Sequence, residues 1–191
     1  MKTVKVFFAA LAIIMSISSC SKDDDSIQYI EADPQFPMKT LLESGAVELT
    51  GTKVNWVNTY ELGYEFKTFK NGKITALGVR IPDNGEFRVT LWNSDTEEIL
   101  VTQNVISTSG LISFEDIAPV QISSGTRYFI SVNTNSYYIF SNDGNIIFPA
   151  ETDDIIILSY GGIFGTAQAL PTITSQTDYV GVVDVKFIPD N

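Results

Sequence analysis

The chain has 191 residues, 44% of them hydrophobic, with 23 acids against 12 basic residues, a formal charge of −11 and no histidine. That acidity excludes the basic footprint a nucleic-acid binder needs, and the hydrophobic content is enough for a core, so global disorder is excluded too. Without histidine there is no Ser-His-Asp or Cys-His catalysis, and the commonest transition-metal ligand is missing.

The first nineteen residues read as a secretory signal peptide: Lys2 and Lys5, the apolar run "VFFAALAIIM" and the small-residue exit "SISS". The apolar run is short of the roughly 20 residues that span a bilayer. The only cysteine, Cys20, follows at once. Ile17-Ser18-Ser19-Cys20 resembles the lipobox of bacterial lipoproteins, which implies acylation of Cys20 as the first mature residue and anchoring in a lipid bilayer. With that thiol acylated, no disulfide and no thiolate zinc site remain.

Ser21, Lys22, Asp23, Asp24 and Asp25 come next. They resemble the acidic tag that directs some Gram-negative lipoproteins to the cell surface. The expected address is therefore the outer membrane, lipid-anchored and facing outward. The same residues would in any case make a solvated, self-repelling tether. Removal of residues 1–19 leaves 172 residues and takes the charge to −13, since Lys2 and Lys5 leave without any acid. The lipidated cysteine and tether are expected over 20–37 and one domain over 38–191.

From "YELGYEFKTF" onward, short runs rich in Val, Ile, Phe, Tyr and Thr alternate with turn signals. "KNG", "PDNG", "SDTEE", "STSG" and "NDGN" separate "KITALGVRI", "EFRVTLWN", "ILVTQNVI", "LISFEDI", "RYFISVN" and "YYIFS". "DIIILSY" and "DYVGVVDVKFI" close the chain. Period two is clear in places: Phe87, Val89 and Leu91 share one strand face, and Arg88, Thr90 and Trp92 the other. No mature segment carries a helical stripe with caps. The expected fold is all-β, a single sandwich of about nine or ten antiparallel strands with Greek-key connections, immunoglobulin-like or jelly-roll-like. "ISSGTRY" places Tyr128 as a tyrosine corner, a structural role.

With the strands laid out, residues 45–188 resemble a family of uncharacterised function, domain of unknown function 4082. The landmarks are "ELGYEF", "GKITALGV", "VTLWNSDTEEIL", "APVQISSGTRYFISV" and "YVGVVDVKF". The family's usual pattern departs at "IPDNG", where it carries a longer aromatic, glycine-rich turn, and at the aliphatic "NIIFPAETDDIIIL". The resemblance implies a sandwich in a surface setting and brings no catalytic residues.

Flat aromatic faces suit the stacking of sugar rings. The candidates are Trp56, Trp92, Tyr137 and Tyr160, with Tyr160 foremost because it precedes Gly161-Gly162 in an expected loop; Trp92 is expected under cover. Asp83-Asn84-Gly85, Asp143-Gly144-Asn145 and Asp153-Asp154 have calcium-type oxygens, but these residues are ordinary turn formers, so no metal or other cofactor is expected. The sequence marks no pair of carboxylates for glycoside hydrolysis. The expected function is a non-catalytic binding or adhesion module on the cell surface, for a glycan or a surface protein. The alternative is a structural accessory subunit of an envelope complex.

Overall fold

A computed structural model describes residues 31–191; Cys20 and the Ser21–Asp25 acidic segment lie outside the described residues. The chain enters through a short helix, α1 (Pro37–Glu43), and then forms thirteen strands among the described residues. In order these are β1 (Glu48–Lys53), β2 (Tyr60–Thr68), β3 (Gly72–Val79), β4 (Gly85–Asn93), β5 (Glu98–Ser107), β6 (Ser113–Ile122) and β7 (Tyr128–Thr134). The second half adds β8 (Tyr137–Ser141), β9 (Ala150–Thr152), β10 (Ile155–Phe164), β11 (Ile173–Ser175), β12 (Asp178–Val180) and β13 (Val183–Pro189).

All pairings are antiparallel and make a sandwich-like arrangement. One layer is a seven-stranded sheet in the order β11-β10-β2-β7-β4-β5, with β9 also paired to β10. Two three-stranded sheets, β13-β3-β6 and β1-β8-β12, complete the structure. Sequence neighbours such as β2 and β3, or β6 and β7, lie in different sheets, so the chain winds back and forth between them.

The core follows the alternation. Tyr64, Phe66, Val89, Leu91, Ile130 and Val132 are sealed on one face of the large sheet, against Leu77, Val79, Val183, Val185 and Phe187. Each such side chain contributes about 1.5–3 kcal/mol on burial. Tyr128 acts as expected: its hydroxyl accepts the Ser123 backbone N–H at 2.9 Å, while Gly125 between them takes the left-handed φ of +78°.

Three features differ from the sequence expectation. The strand count exceeds nine or ten because β1 and the three-residue pieces β9, β11 and β12 carry too little periodicity to read. The single closing strand is two, β12 and β13, broken at Gly181 with φ +103°. And a helix is present. Its seven residues are too few to be stable alone, and no side chain at the N-cap supports it. Its cap comes from Asp184 on β13, which accepts the Met38 and Lys39 N–H groups at 3.0 and 2.9 Å. Those donors would otherwise be orphaned in the first turn, and a partner 146 residues away leaves no local signature.

Candidate binding groove

The four aromatics chosen from the sequence separate into two environments. Tyr160 and Tyr137 come together, with Trp56 close by in the chain path, while Trp92 lies apart.

Tyr160 sits in β10, paired with Tyr64 of β2, and not in a loop. The two glycines that follow belong to the strand, and each clears space for an aromatic ring. A Cβ at 162 would stand 2.6 Å from the Tyr160 hydroxyl, and one at 161 would stand 2.7 Å from the Phe129 ring. Glycines that look like a turn here serve a close approach of side chains.

The Tyr160 ring packs edge-on against Tyr179 with centroids 6.2 Å apart. Its exposed part lines a groove between the large sheet and the β1-β8-β12 sheet. Tyr60, Leu62, Tyr137, Ile139 and Val180 form the other walls, enclosing about 240 Å³. A second hollow of about 140 Å³ shares Tyr60 and Tyr160 and continues along Gly162, Phe164 and Ile173. Tyr60 joins the two, with its ring 6.0 Å from Tyr137 and 5.7 Å from Phe164, both edge-on.

The groove is apolar in its walls and hydroxylic at three points. Burial pushes the Tyr160 and Tyr137 hydroxyls to higher pKa, with neighbouring tyrosines adding to the shift. They are therefore neutral donors at any ordinary pH. Tyr60 accepts a long hydrogen bond from Asn58 Nδ2 at 3.4 Å. In the second hollow Phe164 is 66% exposed and Ile173 68%, and Val57, in the loop before β2, is 85% exposed. Trp56 is exposed, its backbone N–H bonded to Asn135 O two residues before Tyr137. Lys53 Nζ stands 4.4 Å from its ring centroid and occupies one face.

Trp92 has a different part. It is buried on the outer face of the large sheet, as the expectation of a covering favoured, and donates from Nε1 to Ser131 Oγ at 3.0 Å. Ser131 in turn donates to the sealed Glu61 carboxylate at 2.7 Å, and Arg88 closes the other oxygen at 2.8 Å. The segment 165–172 crosses this face. Arg88 donates to Thr166 O, Asn133 to Gly165 O, and Gln168 to the hydroxyls of Thr90 and Thr102. Every hydrogen-bonding group of Trp92 is satisfied and its ring is covered, so it offers no face to a ligand. The covered role is the expected one, but which segment supplies the cover is not legible at "TLW", since that segment arrives some 75 residues later in the chain.

The acidic turns serve the backbone and neighbouring side chains. Asp83 accepts the Asn84 N–H at 2.9 Å, Asp143 and Asp153 take left-handed φ values of 48° and 54°, and Asp154 accepts from Gln35 and Lys70. Among the described residues no group of three or more acids, cysteines or histidines is placed to hold a metal, and no helix is long and apolar enough to cross a membrane.

Sequence reasoning missed Tyr60 and Phe164, which pair directly across β2 and β10. Both sit at strand ends, where an alternating pattern runs out and the facing of a side chain cannot be read. A family model, described as Domain of unknown function (DUF4082), matches residues 48–181. The chain belongs to this family. The matched DUF4082 span contains every residue of the groove, from Tyr60 to Val180, and leaves α1 and β13 outside. Comparison with the curated proteins returns no match.

Proposed function

We propose that this chain is a non-catalytic binding module for glycans, held at the outer membrane through an acylated Cys20 and displayed outward behind the Ser21–Asp25 tether. The observation that carries the reading is the open groove where Tyr60, Tyr137 and Tyr160 converge. Flat rings beside inward hydroxyl donors match a sugar ring, with its apolar C–H face and polar edge. No carboxylate lines either hollow, which favours holding a saccharide over cleaving it, since hydrolysis needs two acids across the scissile bond.

The structural-subunit reading also has support, from the exposed Phe164 and Ile173 that line the second hollow. Exposed apolar surface of that kind is typical of protein contact sites.

A glycan array probed with the full chain in detergent, with and without calcium, separates the two. A defined glycan whose signal falls about tenfold in Tyr160→Ala, roughly 1.4 kcal/mol, supports the lectin-like module. A blank from folded protein, together with a protein cross-linked in cells through residue 164, would replace it with the structural reading.

A further inference from the structure

Three arginines occur in the chain. Arg88 is paired with Glu61, and Arg127 with Asp95 and Glu65. Arg80 has no carboxylate partner among the described residues. Its Nε donates to Gly110 O at 2.9 Å, its backbone N–H donates to Val182 O at 3.0 Å, and its guanidinium lies 5.4 Å from the Tyr138 ring centroid. These contacts fix the guanidinium and leave its two Nη groups without a hydrogen bond among the described residues.

Arg80 lines a hollow of about 220 Å³ between α1 and the turn that joins β5 to β6. Leu42, Leu111, Ile112 and Val182 supply apolar walls, and Lys39 brings a second cation. Lys39 forms no ion pair among the described residues and stands over the Phe36 ring at 5.6 Å. Glu43 is the one acid on the rim, one helical turn from Lys39. In a chain of net charge −11, this apolar hollow is lined by two cations that have no ion pair among the described residues.

We propose that this hollow binds a carboxylate carried on a short, branched apolar body. The planar fork of a fixed guanidinium matches a carboxylate in two-point contact, Lys39 adds a point charge, and the aliphatic walls take the body. That chemistry belongs both to free short-chain acids and to the C-terminal leucine or valine of a peptide. The site is independent of the aromatic groove. Arg80 and the 110–112 turn lie inside the DUF4082 match, while its α1 wall falls outside it.

The test is calorimetric titration of the full chain, in detergent at low salt, with isocaproate, its neutral isostere isocaproamide, and N-acetyl-leucine. Isocaproate should bind at least about tenfold more tightly than the amide, the scale of one charge-assisted contact. N-acetyl-leucine binding more tightly than isocaproate assigns the site to a peptide terminus, and the reverse order to a free acid. Arg80→Gln should remove most of the acid–amide difference, and Arg80→Lys should restore part of it. Should Arg80→Gln fail to fold, the exposed Lys39→Gln variant should weaken the acid and spare the amide, and Leu111→Glu, which breaks the wall that both ligands use, should weaken both. Equal binding of acid and amide, or no binding of either acid to folded protein, overturns the proposal.

Discussion

Tyr60 and Glu61 are neighbours on β2 and face opposite sides of the same sheet, and those sides have opposite character. On Glu61's side, every buried polar side-chain group of the Trp92–Ser131–Glu61–Arg88 chain but the Arg88 Nε finds a partner, and the segment 165–172 lies across it. On Tyr60's side the rings are packed but the layer above ends, and the Tyr137 and Tyr160 hydroxyls have no partner among the described residues. The same residue types do structural work on one face and are left available on the other. Partner saturation, more than aromatic content, separates them.

The contrast can be broken most severely at Trp92. Trp92→Ala should cost about 4 kcal/mol through the cavity and the lost hydrogen bond, measured by denaturant unfolding, and leave glycan affinity per folded molecule unchanged. Arg88→Met strands the sealed Glu61 carboxylate and should cost about 3 kcal/mol, with Arg88→Met combined with Glu61→Gln recovering much of it. A loss of glycan binding in folded Trp92→Ala protein would show that the outer face takes part after all.

The next effect is in pH. Asp184 is completely buried, and desolvation raises its pKa to about 7 despite the N–H donors of Lys39, Met38 and Val185 and the Tyr64 hydroxyl. Its unfolded value is about 3.9. The folded state therefore holds the proton longer, and this group's stabilisation is complete below about pH 4 and lost as pH rises through about 7. Asp95 and Asp154 have lowered values from Arg127 and from Gln35 with Lys70, and their contributions disappear on acidification below the ordinary carboxylate range. The melting temperature should thus peak near pH 4 to 5 and fall toward neutrality, and Asp184→Asn should flatten the neutral limb. A melting temperature constant between pH 5 and 7 in the parent chain would contradict this.

On the open side the effects are smaller in stability and larger in binding. Tyr160→Phe should leave the fold within about 0.5 kcal/mol and weaken glycan binding through the lost hydroxyl. Away from the groove, Tyr128→Phe removes one hydrogen bond to Ser123 and should cost about 1 kcal/mol with binding intact.

Legibility in the sequence follows the range of the interactions. Strands such as β4 and β7 were plain because alternation is a local property, and the tyrosine corner was plain because its partners lie five residues apart. The helix, Trp92's cover and the groove depend on contacts between distant segments: Asp184 with Met38, Gln168 with Thr90, Tyr60 with Tyr137. A carboxylate alone in the apolar run "VGVVDVKF" was the available hint that something must cap or be capped there. The glycines at 161 and 162 misled because the same residue serves turns and close packing.

The entry of the chain into the domain also has a mechanical meaning. Gln35 pairs with Phe187 through two backbone hydrogen bonds, and α1 is then pinned through Asp184. Tension applied from the N-terminal side meets this small clasp before any strand of the seven-stranded sheet. Residues 31–43 would peel away first, at the cost of exposing Met38 and Leu41 of the core, ahead of β2, β8 and β10, on which the groove is built. A domain loaded in this way would lengthen at its N-terminal edge before the walls of the groove are disturbed.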